Sequence, residues 1–252
     1  MRILAAYDWG LIWENKGDLF QGLVVAIQVA AVALVLSVII GLGIALVRMS
    51  RPPFSWLAGI YVNVFRGIPA LVSVIWVYFG WSLVVGISFT VFQAGVIALV
   101  LLYSAFISEI YRAALEAIPK GQREAGLALG MHPIKIFVRV VLPQATKIAI
   151  PNIGSMFIGM IKDTSTFTVI GLLELVRVTQ NLNSTTFQPF VLYTAAAALY
   201  VAAAFVFDFL FRGIEKTLTT PPSGPIAKVA AGRRQRRIEL VMKDVEALSG
   251  RT

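Results

Sequence analysis

Apolar runs of bilayer length alternate with short polar intervals along this chain. Leu19–Val47 carries no charge and ends at Arg48. A bilayer core takes about 20 apolar residues per helix, so the run predicts a first spanning helix. Two of its polar residues, Gln28 and Ser37, either face other helices or are merely tolerated. Arg51, Pro52 and Pro53 then mark a turn. Gly67–Ser108 is again uncharged and too long for one helix. A break at Gly80–Thr90, where Gly86, Ser88 and Thr90 follow Tyr78, Phe79 and Trp81, divides it. Tyr and Trp favour the membrane–water interface. The second span is therefore expected at Ile60–Trp81 and the third at Val91–Tyr111. Glu109, near the end of the third, is either solvated or paired there, or serves gating or assembly.

The fourth apolar stretch is irregular. Only 14 uncharged residues separate Lys147 from Lys162, and Pro151, Gly154 and Gly159 interrupt them. Lys162-Asp163 precedes a further apolar run, Phe167–Leu173. A continuous helix from Gln144 to Leu173 would put that ion pair at membrane depth. Charge survives there only when buried in protein or facing water. Two readings stand: a substrate site at a broken helix, or a salt bridge ending a helix at the interface. Glu174–Gln188 is polar and reads as a loop with room for a short helix; Pro189–Phe211 is the fifth span, closed by Arg212. Its alanine clusters, Ala196–Ala198 and Ala202–Ala204, allow close helix approach, within one subunit or at a dimer seam. Pro221, Pro222 and Pro225 form a linker to a basic tail. Within it Lys228–Leu248 is either a helix on anionic lipid or a solvated segment.

Composition narrows the class. The chain of 252 residues is 58% hydrophobic and 14% charged, against about 25% charged in soluble domains. Its mean hydropathy is +0.81. It has no Cys and one His, His132, which excludes disulfides, a zinc cluster and Cys–His or Ser–His–Asp catalysis. No G-x-x-x-x-G-K-[ST] phosphate loop occurs, so the chain is not expected to bind ATP. The net charge of +9 does not signal nucleic acid, because no binding-fold pattern surrounds the basic residues. Met1–Asp18 lacks the basic-then-apolar layout of a signal peptide.

Basic residues also orient the spans. Arg48 and Arg51, the interval Arg112–Arg139 and the tail from Arg212 fall on one face of a five-span count. The positive-inside rule makes that face cytoplasmic, with the C-terminus inside and the N-terminus outside.

The polar interval Arg112–Pro143 organises the rest. Pro119 suits a first helical turn, Gly130 stops the helix that follows, and His132-Pro133 opens a second short one. Glu124-Ala125-Gly126, three residues, Gly130, nine residues and Val140-Val141-Leu142-Pro143 resemble the cytoplasmic E-A-A loop of ABC importer permeases. Gly126 stands for Ala and Val140 for Ile, both conservative in size. Phe65-Arg66-Gly67-Ile68-Pro69, Ile118-Pro119-Lys120-Gly121-Gln122, Leu142-Pro143-Gln144-Ala145 and Lys162-Asp163-Thr164-Ser165 resemble the polar amino acid subfamily. The likeness covers Leu19 to Leu218.

The resemblance implies a multi-pass protein of the bacterial plasma membrane. The expected fold is all-α, with about five transmembrane helices, and divides into an extracytoplasmic segment 1–18, a permease domain 19–218 with a coupling loop 112–143, and a cytoplasmic tail 219–252. Its function would be the permease subunit of an ATP-driven importer, not an enzyme. Expected partners are an ATP-binding subunit dimer holding ATP and magnesium, a second permease, identical or not, a substrate-binding protein, the amino acid and membrane lipid. Arg123, Glu124, Ala125, Gly126, Leu127, Leu129, Gly130 and Met131 would form the coupling surface. The small residues would admit a partner's groove, the apolar ones would anchor, and Arg123, Glu124 and Arg139 would set orientation by charge. Asp163, Lys162, Thr164, Gly159, Leu71 and Val74 are the candidate substrate residues, with Asp163 suited to an ammonium and Lys162 to a carboxylate. Opines or other amino acid derivatives are alternative solutes, and an ion-coupled transporter an alternative class.

Overall fold

The computed structural model describes residues 7–219, which are mostly helical with no strand among them. The stretch Lys228–Leu248, read either as a helix on lipid or as a solvated segment, lies outside the described residues. Two compact units divide the chain, Met1–Arg212 and Gly213–Thr252; the described part of the second is helical.

A short helix α1, Gly10–Glu14, precedes the first long helix α2, Lys16–Arg48. Next come α3, Phe54–Gly67, and α4, Ala70–Ile75. A π-helical turn, Trp76–Gly80, joins α4 to α5, Trp81–Val85. The central helix α6 spans Val91–Glu116, five residues beyond the expected Tyr111. A reciprocal cap starts it: Thr90 accepts from the Gln93 amide, and the Gln93 side chain accepts from the Thr90 amide. After it lie α7, Lys120–Ala128; α8, Pro133–Ile136; a π-helical segment, Phe137–Val141; α9, Leu142–Asp163; and a 3-10 segment, Thr164–Ile170. The chain closes with α10, Leu175–Thr186, and α11, Pro189–Thr219. Among the described residues three helices alone are long and apolar enough to cross a membrane, or up to five spans if each of two bent pairs is counted as one.

Three expectations are corrected. The second span is not one helix over Ile60–Trp81. It bends by 107° between Phe54–Gly67 and Ala70–Val85, because Pro69 forces Ile68 out of the helical region, to φ −91° and ψ 129°. The fourth stretch is not interrupted at Pro151, Gly154 or Gly159. The short helix expected at His132-Pro133 is present as α8 with Pro133 in its first turn, but helix then runs on through Ile170, so α8 is also the foot of the span. Pro151 lies inside α9, as bilayer helices tolerate when neighbours compensate. The last helix is not closed by Arg212 and continues to Thr219.

Packing centres on α6. It contacts α2 more extensively than any other pair of elements touches. The backbones approach closely at Gly41, where a β-carbon would lie 2.9 Å from the Ile107 side chain and 3.0 Å from the Ser104 carbonyl. Tyr61 of α3 bonds the Leu101 carbonyl at 3.0 Å and Ser104 Oγ at 2.8 Å. Ser37 points into this core, whereas Gln28 is exposed.

Candidate functional site

The first candidate surface is the elbow between α6 and α9. Pro119 stands just before α7 rather than inside its first turn. The far end of α7 closes as a Schellman turn: the Gly130 amide bonds the Leu127 carbonyl at 2.9 Å and the Met131 amide bonds the Gly126 carbonyl at 3.0 Å. Gly130 takes φ +69°, which glycine adopts without strain. His132 accepts from the Ile134 amide and so caps α8.

The elbow sorts its residues into two faces. Leu127 and Leu129 are 56% and 80% exposed, with Arg123, Glu124, Ala125, Ala128 and Arg139 also at the surface. Arg123, Leu127, Pro133, Ile136, Phe137 and Val141 line a cleft of about 230 Å³ between α7 and the foot of the fourth span. Gly126 corrects one expectation. It is buried, and a β-carbon there would come within 2.8 Å of Ile136 Cγ1, so its small size serves packing inside the chain. Met131 is also partly turned inward, against the core.

A charge chain sits where α2 and α6 end. Glu109 pairs with Arg48 through one oxygen and with Arg112 at 2.9 Å through the other, and Arg112 reaches Glu116 at 2.9 Å. Glu109 is thus the paired carboxylate that one reading anticipated.

The second candidate surface lies along the far half of α9. Lys162 and Asp163 form no ion pair with one another, against the salt-bridge reading of the pair. Successive helical residues point in different directions, and here they meet different helices. Asp163 accepts a hydrogen bond from the Tyr103 hydroxyl of α6 at 3.0 Å. Lys162 is exposed and lines a cavity of about 640 Å³ with Ser165 of the 3-10 segment, Val176 of α10, Tyr200, Asp208 and Arg212 of α11, among other residues. Gly159 stands against Tyr103, whose hydroxyl would lie 2.9 Å from a β-carbon there. The structure therefore brings Gly159, Asp163 and Tyr103 together. Thr164 is fully buried and bonds the Ile161 carbonyl at 2.7 Å, so its hydroxyl does not face a cavity. Val74 is also fully buried, in the core that holds Tyr103 and Phe167, while Leu71 is exposed. Both are on α4, which packs against α6 and the 3-10 segment.

Sequence reasoning missed Tyr103, Tyr200 and the burial of Glu174. Glu174 was assigned to a polar loop, yet it is 0% exposed. It caps α10 by accepting from the Val176 and Arg177 amides, each at 2.8 Å, and accepts from the Tyr200 hydroxyl at 2.8 Å. No local pattern marks these partners, which lie 60 and 26 residues apart.

Comparison with known proteins follows the same outline. A family described as binding-protein-dependent transport system inner membrane component matches residues 17–220. The arginine transport system permease protein ArtQ of Bacillus subtilis is 33% identical over 79% of this chain and 92% of its own length. The glutamine transport system permease protein GlnP of Escherichia coli is 32% identical over 84% and 98%, and the L-cystine transport system permease protein TcyB of Bacillus subtilis is 33% identical over 84% and 92%. A crystal structure of an amino acid ABC transporter with histidines aligns with a TM-score of 0.76 at 33% identity, over 83% of this chain and 98% of that one. The methionine ABC transporter MetNI in an inward-facing conformation shares the fold, with a TM-score of 0.72 at 23% identity.

Proposed function

The chain belongs to the family of binding-protein-dependent transport system inner membrane components, and from that premise we propose that it carries amino acids across the plasma membrane in an ABC importer. As a member it is a multi-pass transport subunit, not an enzyme. The carrying observation is the likeness, at 31–33% identity, to permeases named for arginine, glutamine and cystine. Those solutes share an α-ammonium and an α-carboxylate and differ in side chain. The opine and ion-coupled alternatives draw no support from these relatives.

Two ATP-binding subunits supply the work, with ATP and magnesium held there. They seat on the exposed face of α7, where Leu127 and Leu129 anchor, Arg123 and Glu124 orient, and the Gly130 turn fixes the angle to α8. Because α8 runs unbroken into α9, force applied at the elbow moves the whole fourth span. Closure of the ATPase pair then swings two permeases, equal or different, between inward- and outward-facing states. A binding protein delivers the solute from outside. The elbow and the C-terminus are cytoplasmic and the N-terminus external, by the distribution of basic residues.

At the solute path, Asp163 offers a carboxylate to the ammonium. Tyr103 occupies one of its acceptor sites and leaves others. Lys162, on the side facing α11, offers a cation to a carboxylate at a point of the path separate from Asp163. Gly159 lets the Tyr103 hydroxyl approach the α9 backbone, Leu71 offers an apolar surface from α4 with Val74 buried in the core on the same helix, and Thr164 supports the backbone from within.

The test is ATP-driven uptake by the permease reconstituted in liposomes with its ATP-binding subunit and binding protein. Radiolabelled arginine, glutamine and cystine serve as probes. Accumulation of at least one, abolished without ATP, is expected; accumulation of none, by a complex that hydrolyses ATP, would overturn the reading.

A further inference from the structure

The segment from Asp163 to Glu174 is held at both ends by the same device. At one end the Tyr103 hydroxyl of α6 donates to Asp163 at 3.0 Å. At the other the Tyr200 hydroxyl of α11 donates to Glu174 at 2.8 Å. The two carboxylates lie eleven residues apart, on either side of the 3-10 segment and the turn at Gly171, where φ is +85°. The middle is anchored as well. Phe167 is fully buried beneath Gly95 of α6, where a β-carbon would lie 3.1 Å from its ring. Thr168 donates to the Gln180 side chain of α10 at 2.9 Å. The segment is a short crossbar between α6 and α11.

Glu174 exceeds what its cap requires. Asn, Asp, Ser or Thr suffices to accept from the first amides of a helix. Here a fully buried carboxylate, in an apolar chain, takes two amides and a tyrosine hydroxyl. Ionisable residues at such positions are expensive and read by default as functional. The α2 backbone closes over the same point: a β-carbon on Gly22 would fall 2.9 Å from the Leu175 Cα and 3.1 Å from the Glu174 carbonyl carbon. Four elements, α2, α10, α11 and the crossbar, therefore meet at Glu174.

We propose that Glu174 and Tyr200 are positioning residues for transport: their hydrogen bond holds the crossbar so that Asp163 keeps its place, and links movement of α11 to the solute path. This rests on the transport reading above. Releasing the Tyr200 end lets the crossbar shift while α9 and the elbow stay folded. ATP hydrolysis then continues without productive solute movement. A residue that only supports folding would change yield and thermal stability, not the ratio of solute moved to ATP spent.

The experiment uses the complete complex in liposomes, with whichever probe amino acid the wild type accumulates. Tyr200→Phe removes only the hydroxyl, and Glu174→Gln keeps an acceptor for it. The expected result for Tyr200→Phe is a fall of threefold or more in solute transported per ATP, at normal complex yield, with hydrolysis less dependent on the binding protein. Glu174→Gln should retain a ratio closer to wild type than Glu174→Leu or Tyr200→Phe. A wild-type ratio in Tyr200→Phe overturns the proposal. So does failure of both Tyr200→Phe and Glu174→Gln to assemble, because the bond then serves folding. A wild-type complex that accumulates no amino acid refutes the transport reading instead, which keeps the two failures distinct.

Discussion

Tyr103 of α6 donates its hydroxyl to Asp163 across 3.0 Å, joining the central helix to the last turn of α9. The bond presents one face of the carboxylate to α6 and leaves acceptor capacity for a solute. It also explains why Asp163 does not fold back on Lys162.

The two residues should separate in kinetics. Asp163→Asn removes the charge that would meet an ammonium; a charge-assisted hydrogen bond contributes roughly 1.5–3 kcal/mol, and each ~1.4 kcal/mol is tenfold. The KM for uptake should rise about tenfold or more. Tyr103→Phe removes one orienting bond and should raise KM by a smaller factor. Initial-rate uptake across solute concentration checks both; an unchanged KM in Asp163→Asn takes Asp163 out of the site.

Gly126 and Ile136 should behave as one packing unit. A β-carbon on Gly126 would come 2.8 Å from Ile136 Cγ1, and overpacking of this kind costs about 1–3 kcal/mol. Gly126→Val should lower thermal stability and release the ATP-binding subunit during purification. Adding Ile136→Ala should recover much of the loss. Equal stability of the single and double variants would show that the contact does not constrain α7.

Gly130 makes a separate prediction, because nothing lies within 4 Å of a β-carbon there and its constraint is the backbone angle alone, φ +69°. Asn tolerates this region and β-branched residues do not. Gly130→Asn should copurify with the ATPase near wild-type yield, whereas Gly130→Val should not. Matching yields would argue against a fixed turn angle as the coupling element.

Much of this fold is legible in the residues, for physical reasons that also mark where legibility stops. Uncharged length locates α2 and α6, since lipid admits little else. The α7 stop at Gly130 follows from one residue's tolerance of positive φ. The bend at Ile68-Pro69 was available from proline's restriction on its neighbour, but the uncharged run around it masked it. Pro151 misled in the opposite direction: helix continues through it because tertiary packing overrides local propensity. The inward face of Gly126 and the tyrosine partners of Asp163 and Glu174 depend on contacts between distant segments, which spacing within a helix does not encode.

The charge chain predicts an asymmetry. Glu109 pairs with two arginines, whereas among the described residues Glu116 pairs with Arg112 and is more exposed. Removing the shared, part-buried carboxylate leaves Arg48 without it, at a cost of about 1–3 kcal/mol; an exposed pair contributes about 0–1 kcal/mol. Glu109→Gln should therefore lower the melting temperature in detergent clearly more than Glu116→Gln, and equal shifts would contradict the pairing.

The central claim, that an inner-surface elbow receives work from an ATP-binding partner, is tested most directly by chemical access to one residue. The chain has no cysteine, so Leu129→Cys provides a unique label site at an 80% exposed position. A membrane-impermeant maleimide should label it in inverted vesicles but not in right-side-out ones, and binding of the ATPase should protect it. Labelling from the outside, or labelling unaffected by the ATPase, would contradict the account.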